Sequence, residues 1–81
     1  MNDYIITFYS HFGAIRYKKE LDLTGTDSVL MPVPRFLSSS CGTCAMIKAS
    51  VFTPPVPSHP DEIEQIVLLT GSETYTVLTL I

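Results

Sequence analysis

Prolines divide this 81-residue chain more firmly than any other feature. Two of the six, Pro32 and Pro34, close an apolar run, and the other four lie within "TPPVPSHP" (53–60). A proline has no amide hydrogen and a fixed φ, so it ends pairing in a central strand and breaks a helix interior. "SVLMPVP" (28–34) therefore reads as an edge strand that stops at its prolines. Residues 53–60 read as a stiff, extended connector.

Between these marks the periodicity changes. "YIITFYS" (4–10) is β-branched and aromatic without a helical repeat, which fits a buried strand. Ser10 is placed to cap the helix that follows, where Ala14, Tyr17 and Leu21 recur on one face and Gly25 terminates it. "AMIKASVF" (45–52) alternates as a half-exposed strand. "DEIEQIVLLTG" (61–71) has Pro60 ahead of it, acidic residues at its start, Ile63, Ile66 and Val67 at helical spacing, and Gly71 at its end, which predicts a short capped helix. "ETYTVLTLI" (73–81) predicts a last strand.

This order is β-α-β-β-α-β, a single ferredoxin-like α+β domain over residues 1–81. It implies a four-stranded antiparallel sheet with two helices on one face and the other face bare. Charged residues are 16% of the chain, below the roughly 25% of typical soluble domains. With so few charges and a two-sided apolar sheet, a homodimer through the open face is expected. The net charge of −3 and scattered basic residues argue against nucleic-acid binding. No apolar run approaches the ~18 residues of a membrane span, and the N-terminus lacks the basic start of a signal peptide. A cytoplasmic protein with reduced thiols is expected.

Both cysteines lie in "PRFLSSSCGTCA" (34–45), the link between the second and third strands. A two-residue turn suffices for such a hairpin, so the longer loop points to function. Ser38, Ser39, Ser40 and Gly42 supply small side chains and backbone amides, and concave runs of amides bind anions. Arg35 adds positive charge, which favours the thiolate of Cys41. Three chemistries compete with a loop that has none. Dithiol exchange fits the spacing of Cys41 and Cys44, but that chemistry places the first cysteine at a helix start, and here a strand pattern follows. Zinc needs four ligands; His11 and His59 share no ligand spacing with the cysteines and read as helix-start residues, leaving only a metal shared across a dimer. A sulfur carrier needs one activated, exposed thiol and a docking surface but no pocket, which suits a small domain. No acid/base pair, phosphate loop or nucleophile–base arrangement suggests a catalyst in its own right.

The opening "YIITFYSHFGAI" and above all "LMPVPRFLSSSCGTC" resemble a small bacterial family, the selenium/sulfur carrier-like proteins. The resemblance covers most of the chain, and its specific part falls on Pro34, Arg35, Ser38, Ser39, Ser40, Cys41 and Gly42. It implies a ferredoxin-like fold and a role in carrying sulfur or selenium, without a bound cofactor. Cys41 would accept the cargo from a donor such as a cysteine desulfurase, and Cys44 would resolve the persulfide by forming a disulfide. Lys48 would favour an anion near the loop. The proline-rich connector departs from the family pattern. The reading from another class is an interaction module whose cysteines share a metal across a dimer or are silent.

Overall fold

A strand whose every side chain from Tyr4 to Phe8 is buried has to lie in the middle of a sheet, and this one does. In the computed structural model, which describes residues 2–52 and 54–80, β1 (Asn2–Phe8) is flanked on both sides by antiparallel partners. Around it run α1 (His11–Leu23), β2 (Val29–Pro32), β3 (Thr43–Ala49), a 3-10 turn (Pro60–Glu62), β4 (Ile63–Leu69) and β5 (Tyr75–Leu80). The five strands form one sheet in the order β2-β3-β1-β4-β5, with all neighbours antiparallel. β2 and β5 are its edges, and β3 lies between the two strands that α1 connects.

The first half follows its local signals. Ser10 caps α1, its hydroxyl accepting the Gly13 N–H at 3.1 Å. Ala14, Tyr17 and Leu21 are buried against Tyr4, Ile6 and Phe8 of β1 and Ala45 and Ile47 of β3. Gly25, at φ +78, turns the chain out of the helix, a conformation that costs a side-chain-bearing residue far more than glycine. A Cβ on Gly13 would lie 2.8 Å from Cβ of Glu62, so glycine there lets the helix start approach the turn before β4.

The second half corrects the expectation of two helices and four strands. The class is α+β, with one helix and a five-stranded antiparallel sheet. Residues expected to form the second helix form the 3-10 turn and β4. The helix-like spacing of its apolar residues comes from a β-bulge. Pairing of β1 with β4 jumps from Thr7 opposite Gln65 to Phe8 opposite Ile63, leaving Glu64 as an extra residue. Ile63 and Ile66 thereby face the same side, three residues apart, as they would on a helix. A strand with one inserted residue mimics helical spacing. The β-branched Ile63, Ile66 and Val67 suit the strand better.

The connector lies against α1. Tyr17 donates its hydroxyl to the Pro55 carbonyl at 2.7 Å, and Ser58 donates its N–H and hydroxyl to Glu20 Oε1 at 2.9 and 3.0 Å. Phe52 packs on Tyr4 at 5.4 Å between ring centres, and Arg16 pairs with Glu62 at 3.3 Å. The opposite face of the sheet is not bare. Residues of the long β2–β3 loop fold over it: Leu37 is buried with Ile5, Cys44 and Val67, and Phe36 meets Tyr75 at 6.1 Å. Among the described residues no helix is long and apolar enough to cross a membrane.

Candidate functional site

The loop from Val33 to Gly42 wraps the end of the sheet where β1 finishes and β4 begins. It starts with a turn in which the Leu37 N–H donates to the Pro34 carbonyl at 3.0 Å, and it closes with the Val33 N–H on the Gly42 carbonyl at 3.0 Å. Leu37 then drops into the core on one side of the sheet, and the three serines that follow are tied down in succession. The Ser38 carbonyl accepts from Gln65 Nε2 at 3.2 Å, Ser39 donates to the Phe8 carbonyl at 3.4 Å, and Ser40 binds Glu64.

Glu64 is the hub. Its Oε1 accepts the Ser40 N–H and the Thr7 hydroxyl, both at 3.2 Å, and its Oε2 accepts the Ser40 hydroxyl at 2.8 Å. Thr7 is fully buried, so this carboxylate also satisfies a hydroxyl that has lost water. The bulge that inserts Glu64 into β4 aims it at the loop. The sequence led us to expect loop amides open to an incoming anion. The Ser40 amide does hold an anion, and it is the chain's own.

Cys41 follows directly. It is partly exposed and packs against the helix-side core. Its sulfur accepts the Thr43 N–H at 3.4 Å and lies 3.4 Å from the Thr43 carbonyl, which accepts from the thiol when protonated. His11, the first residue of α1, reaches the same turn, with Nδ1 3.1 Å from the Thr43 hydroxyl. Gly42, at φ +78, reverses the chain into β3. Three residues from Cys41, Cys44 belongs to the opposite core. It is wholly buried with Ile5, Leu37 and Val67, its sulfur 3.9 Å from the Pro32 carbonyl. Burial pushes its thiol up to about 11, and the nearby Cys41 adds a smaller push in the same direction. The C-x-x-C spacing thus places two unlike thiols on opposite sides of one sheet, and both are free.

Arg35 is exposed at the start of the loop and makes no hydrogen bond or ion pair among the described residues. Lys48 lies farther along β3, beside two adjoining surface clefts of about 320 and 260 Å³ that also share Asp27 and do not include Cys41. Among the described residues no three His, Cys, Asp or Glu side chains gather as a metal site. Sequence reasoning missed Glu64, Thr7, Gln65 and Leu37. The bulge that aims Glu64 leaves no signal in the local pattern, and the others act through contacts far apart in sequence.

A family model described as "Putative Se/S carrier protein-like" matches residues 3–51, more than half of the chain. The matched segment runs from β1 through the end of β3 and contains both cysteines, the serines and Arg35. Glu64 and the connector lie beyond it. No curated protein and no solved structure matches the chain.

Proposed function

Since the chain belongs to the family described as "Putative Se/S carrier protein-like", we propose that it carries a sulfur or selenium atom on Cys41. The observation that carries this reading is the contrast between the two thiols: Cys41 is partly exposed on a loop tied down at three consecutive residues, while Cys44 is sealed in the core. A carrier needs one thiol that a donor protein reaches and a framework that presents it. It needs no substrate cavity.

The chemistry is thiol–persulfide exchange. The Cys41 thiolate attacks the terminal sulfur of a persulfide on the donor, such as a cysteine desulfurase. A sulfur–sulfur bond to Cys41 forms, the donor's sulfur–sulfur bond breaks, and the donor leaves as its thiolate. The Thr43 N–H and carbonyl, each 3.4 Å from the Cys41 sulfur, hold that side chain at the turn into β3. Arg35, exposed and unpaired among the described residues, is available to the negative charge of the incoming group. Ser38, Ser39 and Ser40 hold the loop, and Gly42 supplies its reversal. Self-association through the part of the sheet that the loop leaves uncovered belongs to the same proposal, as does a cytoplasmic setting in which Cys41 stays reduced.

The test is co-expression with a cysteine desulfurase, purification without reductant and intact mass measurement. A gain of one sulfur atom, removed by reductant and lost in Cys41→Ser, supports the carrier. A gain that persists in Cys41→Ser, or no gain at all, overturns it.

A further inference from the structure

The loop that presents Cys41 is also the cover of Cys44. Leu37 lies directly on the buried thiol's cluster, flanked by Val33 and Phe36, and Ser38 to Ser40 pin the same loop to β1 and β4. With the loop docked, the two sulfurs pack against opposite core clusters. Lifting the loop removes the lid from Cys44, whereas Cys41 is already partly exposed with the loop docked. The strongest single tie is the charge-assisted set at Glu64, which holds Ser40 by both its N–H and its hydroxyl.

We propose that Glu64 is a positioning residue whose latch on Ser40 gates the reaction between the two thiols. Docked, the latch keeps cargo on Cys41 away from Cys44. Released, it lets Cys44 attack the Cys41 sulfur. For a persulfide the step balances without an outside oxidant. The Cys44 thiolate forms a bond to Cys41 Sγ, the bond from that sulfur to the terminal sulfur breaks, and the cargo leaves as hydrosulfide. The Cys44 proton passes to solvent, and the protein is left with a Cys41–Cys44 disulfide. The identity of the cargo rests on the carrier reading; the gate between the thiols does not. A partner that binds the undocked loop would thereby trigger unloading.

The gate is testable without persulfide, using a chromogenic aromatic disulfide on the whole chain. Cys41 attacks the reagent, forms a mixed disulfide and releases one coloured thiolate. Cys44 then attacks the Cys41 sulfur, expels the second coloured thiolate and closes the protein disulfide. We expect a fast first phase that scales with reagent concentration and a slow second phase that does not. Glu64→Gln, which removes the charge and one of the two acceptor oxygens, and Ser40→Ala, which removes the hydroxyl, should each speed the second phase about tenfold, on the scale of one charge-assisted hydrogen bond. The first phase should change less than about twofold. Glu20→Ala, which frees Ser58 of the connector from α1 on the other side of the sheet, controls for general loosening.

An unchanged second phase in both latch variants, a second phase that scales with reagent, or equal acceleration in Glu20→Ala would each overturn the gate. Because persulfide is absent, these results stand apart from the desulfurase experiment. Gating without sulfur acceptance leaves a dithiol switch, and acceptance without gating leaves an ungated carrier.

Discussion

The Tyr17 hydroxyl donates to the Pro55 carbonyl at 2.7 Å, which ties the only helix among the described residues to the proline connector. Tyr17 is almost fully buried beside Phe8, at 6.2 Å between ring centres. Its phenol is pushed up to about 12, first by burial and then by the negative charge of Glu20. The same ring thus anchors the connector and makes the fold sensitive to alkali.

The direction follows from linkage. Below the ordinary tyrosine value of 10.0 the phenol is neutral in both states, and its stabilisation is intact. As pH rises from there to about 12, the unfolded chain ionises while the folded one resists, so stability falls. The loss is on the order of 2 kcal/mol across that window. Tyr17→Phe should cost about 1 kcal/mol at neutral pH, from the lost hydrogen bond, and should show a shallower alkaline decline. Urea midpoints of both proteins at about pH 8 and about pH 11 measure this. Parallel declines would refute the assignment.

The two thiols should differ in reactivity, because one is partly exposed and the other is buried. Cys44, raised to about 11, carries about a hundredfold less thiolate at neutral pH than an ordinary cysteine. In Cys41→Ser the remaining thiol should resist iodoacetamide until the pH approaches that value, then react, and in denaturant it should react at once. In Cys44→Ala the remaining Cys41 should react in the native protein. Because Cys44 favours its neutral form when folded, its contribution to stability is present below the ordinary thiol range and is lost as pH rises toward about 11. Rapid neutral-pH alkylation of Cys44 in the folded Cys41→Ser protein would contradict the burial argument.

Gly42 separates Cys41 from β3 at φ +78, with open space where a Cβ would stand. The cost of a side chain there is therefore backbone strain alone, about 1–2 kcal/mol for alanine. Asparagine, which tolerates this region better, should cost less than alanine. Thermal melts of Gly42→Ala and Gly42→Asn give the ranking, and equal losses would remove the conformational explanation.

The sequence carried the first half of the fold because its signals are local. Ser10, the Ala14, Tyr17 and Leu21 face, Gly25 and the proline stop at Pro32 each act within a few residues, and each is found where expected. The serine loop was also legible as an unusually long hairpin link. The second half was misread at Ile63 and Ile66 because a bulged strand and a helix can share three-residue spacing. Pairing partners decide between them, and those lie on β1, more than fifty residues away. The same nonlocality hid the unlike burial of Cys41 and Cys44, which no spacing rule encodes. It also hid the source of the anion at Ser40, supplied by a residue beyond the family match.

Thr7 and Glu64 offer the most direct measure of what the bulge contributes. The Thr7 hydroxyl is fully buried and donates to Glu64 at 3.2 Å. Removing one partner of a buried hydrogen bond costs more than removing both, because the survivor is left without water or a substitute. Glu64→Ala should therefore cost about 1–3 kcal/mol, since it orphans the Thr7 hydroxyl and frees Ser40. Thr7→Val removes the donor at similar volume but leaves Glu64 its two bonds from Ser40, so it should cost less than about 1 kcal/mol. In the double variant the Thr7 hydroxyl is no longer orphaned, and the combined loss should fall short of the sum of the single losses by about 0.5–1 kcal/mol. Urea unfolding of the four proteins completes the cycle. Strict additivity would mean that Thr7 and Glu64 do not interact and that the bulge aims Glu64 at the loop alone.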